Sequence, residues 1–119
     1  EPHAAVFHCA SGKDRTRIAA ALLLAALGAS RDTVVADYLL SNEFLDAQHH
    51  IARAIADFGN VLSMTDGAAL QALYEVRAAY INTALDKIDT EYGGMNVYLA
   101  DAIGVGEKQR QLLQERYLV

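Results

Sequence analysis

The chain has 119 residues, 53% of them apolar, which suits one domain with one core and is too apolar for a disordered segment. Ten basic against 15 acidic side chains leave a net charge of -5, the wrong sign for a nucleic-acid binder, although net charge does not describe a local cleft. The single cysteine cannot form an internal disulfide, no Cys/His cluster has zinc-ligand spacing, and the longest apolar run, Ile18 to Ala29, is too short to span a bilayer.

Ala4 to His8 is short and apolar and predicts a buried strand. The small and polar residues from Cys9 to Asp14, with Gly12 among them, predict a loop. Arg15 to Leu27 is rich in Ala and Leu, the best helix formers, and apolar on nearly every face, so a central helix ending at Gly28 is expected. Ser30 then caps a second helix with Asp32 in its first turn and Val34, Val35, Tyr38 and Leu39 as its apolar stripe. A break near Ser41-Asn42 leads to a third helix from about Glu43 to Phe58, with Phe44, Leu45, Ile51 and Ile55 inward and Gly59-Asn60 closing it. Thr65-Asp66-Gly67 reads as a turn or helix start, followed by Leu70 and Leu73 at helical spacing. Tyr74 to Tyr92 predicts a long amphipathic helix with Val76, Tyr80, Ile81, Leu85 and Ile88 on one side, ended by Gly93-Gly94. Met95 to Ile103 and Glu107 to Tyr117 predict two short helices. His49-His50 has no partner at ligand spacing and reads as surface. The expectation is therefore one strand, a loop and about six helices. A lone strand forms no sheet, the first residue is Glu1, and no signal-peptide pattern is seen. The chain is accordingly expected to be the C-terminal portion of a longer protein, against the simpler alternative of a complete small helical domain.

The chemistry concentrates in His8-Cys9-Ala10-Ser11-Gly12-Lys13-Asp14-Arg15-Thr16. A loop between a strand and a buried helix meets that helix at its N-terminus, where unpaired N–H groups and the dipole favour an anion. Five residues separate Cys9 from Arg15, which lets the backbone N–H groups of Ala10, Ser11, Gly12 and Lys13 curl inward around phosphate oxygens, with Gly12 relaxing the curve. Cys9 is the candidate nucleophile, as a thiolate favoured by the helix N-terminus, and would form a phosphocysteine intermediate. The planar fork of Arg15 suits two phosphate oxygens and the charge of the transition state. Thr16 can donate to the Cys9 sulfur, His8 can orient the loop, and Lys13 adds charge at the rim. Asp14 could protonate the leaving oxygen or simply cap the helix.

The string HCASGKDRT resembles the HCxxGKDRT signature of a bacterial tyrosine-phosphatase family that has a secreted mycobacterial member. Val34 to Glu43, Tyr80 to Gly93 and Tyr98 to Gly104 are similar to later stretches of the same family, so the resemblance covers essentially the whole chain while corresponding to the C-terminal half of a family domain. It implies an α/β phosphatase fold with a central sheet. It also implies removal of phosphate from phosphotyrosine, and in some members from phosphoserine, phosphothreonine or phosphoinositides, without a metal or other cofactor. Carried over by position, Cys9 is the nucleophile, Arg15 the phosphate clamp, Asp14 the acid, and Lys13 the loop lysine linked with lipid phosphates. Position 17 departs from the signature: Arg17 stands where glycine is usual, and either crowds the loop or points to solvent. The expected partners are a phosphorylated protein or phosphoinositide, with pairing to a missing N-terminal half or to a second copy over apolar faces left open. The rival readings are a phosphate-binding protein without turnover, a purely structural helical fragment, and a rhodanese-like sulfurtransferase, the last disfavoured by GKDRT ahead of the helix.

Overall fold

A computed structural model describes residues 3–62 and 67–118, without the side chains of residues 60–62. The order of elements is α1 (Asp14–Ala26), α2 (Arg31–Phe44), α3 (Ala47–Leu62), α4 (Gly67–Tyr74), α5 (Ala78–Tyr92), α6 (Met95–Tyr98), a π-helical turn (Leu99–Ile103) and α7 (Glu107–Tyr117). The core lies where α1, α2 and α5 meet. Ala21 presents a small side chain to Val34 and Tyr38 of α2, and Val76, Ile81 and Leu85 close the cluster. Small residues on α1 let the neighbouring helices approach closely, as ridge-in-groove packing requires.

Local signals set several boundaries. The Ser30 hydroxyl accepts from the Thr33 N–H and caps α2. Gly93 takes a left-handed φ of 81° and ends α5. Arg31 ties the start of α2 to α5, donating to Asp86 at 2.6 Å, Asp89 at 3.3 Å and the Asn82 side chain at 3.0 Å. This network is half exposed, so it adds little stability.

Four expectations are corrected. No strand forms among the described residues: Ala4 to His8 is irregular and exposed, with Val6 at 90% and Phe7 at 49%. A strand needs a neighbour to take its backbone hydrogen bonds, and this segment has none there. Helix α2 runs through Ser41-Asn42 to Phe44, because Asn42 satisfies its side chain elsewhere. Its amide donates to the Val76 carbonyl at 2.8 Å and its oxygen accepts from the Val76 N–H at 2.9 Å. That bridge explains the third correction, the break at Glu75 to Arg77 where one helix was expected from Tyr74. Tyr74 ends α4, and α5 begins at Ala78. Helix α3 starts four residues later than expected and continues past Gly59, departing from helical geometry at Phe58 (φ -129°, ψ 23°). Of its expected inward residues, Leu45 and Ile51 are half-buried while Phe44 and Ile55 are exposed. Likewise Leu23 on α1 and Tyr80 on α5 are partly open where burial was expected. Thr65 and Asp66 lie outside the described residues.

Asn42→Ala leaves the part-buried Val76 N–H and C=O without partners and should lower stability by about 1–3 kcal/mol. A thermal melt reads this as a drop of several degrees, and an unchanged midpoint would remove Asn42 as the bridge.

Candidate active site

The loop is shaped by its own sequence. Gly12 takes a left-handed φ of 62°, and open space surrounds the position where a Cβ would sit. Glycine is therefore favoured here by backbone conformation rather than by room. The loop runs into α1 at Asp14, and the Arg17 N–H closes the first turn on the Lys13 carbonyl at 3.3 Å.

Cys9 sits at the mouth of that turn, half-buried. The Thr16 hydroxyl accepts the Cys9 backbone N–H at 2.9 Å. A hydroxyl keeps a donor while accepting, and that of Thr16 is the largest influence lowering the Cys9 thiol. The backbone N–H groups of Thr16, Ser11 and Gly12 act in the same sense. These donors, the Thr16 hydroxyl first, outweigh the opposing effect of burial and bring the thiol down to about 6. Hydrogen bonds to the charged form are what favour it.

The other loop residues are placed less uniformly. His8 is exposed, with Nδ1 3.4 Å from the Cys9 carbonyl, a long contact that a proton on Nδ1 could turn into a hydrogen bond. Ala10 and Ser11 are exposed. Lys13 Nζ reaches Asp14 Oδ1 at 2.9 Å and lies 5.7 Å from the centre of the Tyr80 ring. Its stem is largely buried, while Asp14 is 71% exposed. Arg15 is exposed and makes no hydrogen bond or ion pair with the described residues. Its guanidinium is free to meet a ligand.

Two features escaped the sequence reading. Arg17 is buried at 8% exposure rather than pointing to solvent. And an open cleft of about 500 Å³ adjoins the loop, lined by Ser11, Lys13, Asp14, His50, Arg53 and Tyr74. The His50 ring stacks parallel on Tyr74, with centroids 6.3 Å apart, so α3 and α4 together form the far wall. The spacing of His50 and Arg53 on one helix face was the available signal, but nothing local says which element that face meets. Among the described residues no group of three His, Cys, Asp or Glu side chains is placed to hold a metal ion.

The state of Cys9 has a direct readout. Alkylation by iodoacetamide follows the thiolate, which forms as pH rises. The rate should climb through a midpoint at about pH 6 rather than about 8.5. Thr16→Val removes the largest contribution and should move the midpoint upward, and a midpoint that stays put would dismiss the Thr16 contact.

The sequence pattern of the tyrosine phosphatase family matches residues 1–119. The chain is 41% identical over 105 residues to a Cupriavidus necator protein named as a proposed tyrosine-protein phosphatase, covering 87% of this chain and 37% of that protein. It is 37% identical over 102 residues to the triple specificity protein phosphatase PtpB of Mycobacterium tuberculosis, covering 80% and 37%. It is 33% identical over 114 residues to a tyrosine-protein phosphatase of Nostoc commune, covering 95% and 38%. The chain thus spans a little over a third of the length of these relatives.

Proposed function

The chain belongs to the tyrosine phosphatase family, and from that premise we propose that its protein hydrolyses phosphate monoesters, phosphotyrosine above all, through a phosphocysteine intermediate. The observation that carries the reading is the Cys9 thiol, brought down to about 6 by the Thr16 hydroxyl first and by the loop N–H groups, which favours an ionised nucleophile near neutral pH. In the first step Cys9 Sγ attacks phosphorus, the S–P bond forms and the P–O bond to the leaving group breaks. The leaving oxygen takes the proton of Asp14. In the second step water attacks phosphorus, the S–P bond breaks, and the proton of that water passes to the Asp14 carboxylate, restoring the thiolate and releasing inorganic phosphate. The backbone N–H groups from Ala10 to Lys13 and the fork of Arg15 hold the equatorial oxygens, where charge spreads in the transition state. His8 keeps a supporting role at the Cys9 carbonyl.

Phosphoserine, phosphothreonine and phosphoinositides enter as further substrates of the same reading; the mycobacterial relative is named a triple specificity protein phosphatase, and a lysine and an arginine line the cleft. Residues 1–119 are read as the C-terminal portion of a larger phosphatase domain with the α/β fold. The exposed apolar pair Val6 and Phe7 ahead of the loop supports this, and the rest of that domain or a second copy would cover them. Among the described residues no helix is long and apolar enough to cross a membrane.

A second reading, phosphate binding without turnover, is favoured by one contact: Asp14 is engaged by Lys13 and must leave it to face a leaving group. Hydrolysis of para-nitrophenyl phosphate separates the two. Asp14→Asn should reduce kcat by on the order of 10²-fold, the usual scale for a general acid. Turnover unaffected by this change would move the acid elsewhere. Absence of turnover in a folded protein that still binds phosphate would favour the second reading.

A further inference from the structure

A lysine side chain is long and flexible, and holding it in one place costs rotamer freedom. Lys13 is nonetheless held. Its side chain is only 12% exposed although it stands in the loop, and its Nζ has two neighbours: Asp14 Oδ1 at 2.9 Å and the Tyr80 ring, whose centroid is 5.7 Å away. A cation at that range is attracted by the negative face of an aromatic ring. The two neighbours differ in permanence. Asp14 is mostly exposed and, as the acid of the proposed reaction, must turn away to face a leaving group. Tyr80 stays. It sits in the first turn of α5, its backbone N–H donates to the Arg77 carbonyl at 2.9 Å, and its hydroxyl donates to the Ala72 carbonyl of α4 at 3.1 Å. The ring is thus pinned at both ends. Lys13 also lines the cleft that carries Arg53 and His50, so its ammonium marks where the loop passes into that cleft.

We propose that Tyr80 is a positioning residue of this site: its ring holds the Lys13 ammonium at the rim of the loop when Asp14 turns away, and so fixes where negative charge beyond the phosphoryl group in the loop is met. The inference rests on the reading of Cys9 to Arg15 as a phosphate loop, and it gives a task to a residue far from that loop in sequence. An ammonium has three N–H donors. One is directed at Asp14, and the ring uses no acceptor lone pair, so donors remain for an anion in the cleft. A second carboxylate in place of the ring would hold the ammonium but cancel its charge. An apolar side chain without a ring could cover the lysine stem but would not attract its head. An aromatic ring does both, and leaves the charge available to a ligand.

The test is titration calorimetry with inorganic phosphate and with pyrophosphate, which carries charge beyond the group the loop encloses. It is run on the parent, Tyr80→Phe, Tyr80→Leu and Tyr80→Met, with folding followed by circular dichroism, and it reads the ratio of the two affinities. Either variant without a ring should shift that ratio against pyrophosphate by roughly 2–5-fold, the scale of one exposed cation–π contact. Tyr80→Phe keeps the ring and should keep the ratio close to that of the parent. Once Lys13→Met has removed the ammonium, Tyr80→Leu should have no further effect on the ratio. The proposal is overturned if a folded variant without a ring leaves the ratio unchanged, or if Tyr80→Phe shifts it as far as Tyr80→Leu does. It is equally overturned if Tyr80→Leu acts as strongly beside Lys13→Met as without it, or if neither ringless variant folds, which would make Tyr80 a packing residue only. Binding needs no turnover. A protein that meets these expectations yet hydrolyses no aryl phosphate would keep this inference while losing the proposed reaction, whereas a parent that binds neither anion would remove the phosphate loop and this inference with it.

Discussion

Cys9→Ser is expected to abolish hydrolysis of para-nitrophenyl phosphate, with a loss on the order of 10⁴-fold or more, the scale felt when a nucleophile is removed. The donors around position 9 bring a thiol into the neutral range. A serine hydroxyl starts far higher, and the same donors cannot bring it there. Nor does His8 stand ready to take its proton: it is exposed, and its Nδ1 lies 3.4 Å from the Cys9 carbonyl oxygen. The backbone N–H groups and Arg15 are untouched by the substitution. Inorganic phosphate should therefore still bind, with an affinity within a few-fold of the parent by titration calorimetry. Loss of turnover with retained binding is the outcome that identifies Cys9. Residual turnover above about a hundredth of the parent would place the nucleophile elsewhere.

Arg15→Lys should cost on the order of 10³-fold in kcat, the scale of an arginine that stabilises a transferring phosphoryl group. Lysine keeps the charge but loses the planar fork that grips two oxygens at once. The structure makes this substitution unusually clean. Arg15 is exposed and bonded to none of the described residues, so its replacement should change stability by no more than about 0.5 kcal/mol. Kinetics and a thermal melt on the same sample separate the two effects. A large fall in melting temperature would assign Arg15 a structural role and weaken its place in the reaction.

The site was more legible in the sequence than the packing around it, for a physical reason. Cys9, Gly12 and Thr16 lie within eight residues, and their geometry follows from one loop entering one helix. Boundaries governed by local chemistry were equally readable: the Ser30 cap, the glycine at 93, and α7 from Glu107 to Tyr117. The misreadings share a long-range cause. Ser41-Asn42 has the composition of a break, but Asn42 stays helical because a backbone 34 residues away takes its amide. Tyr74 to Arg77 continues a helical period, but Val76 is held by that same amide and the helix stops. Tyr80 looked like core, yet it donates to the Ala72 carbonyl and faces the Lys13 ammonium. Arg17 was recognised as unusual from its position alone, but its burial depends on α2, which periodicity does not place.

The bridge between Asn42 and Val76 also changes how the span between them should be regarded. Helices α3 and α4 leave the three-helix core just after Asn42 and return to it at Val76. A detour pinned at its base has its ends already joined, and lengthening such a detour costs only slowly, about 0.6 kcal/mol per doubling. This stretch is where an insertion or deletion would be absorbed with least effect on Cys9. The wall that His50 and Arg53 present can thus diverge quickly between descendants of one gene while the chemistry at the loop stays the same. Variation in taste for substrates would then accumulate in α3 and α4, with the reaction itself inherited unaltered.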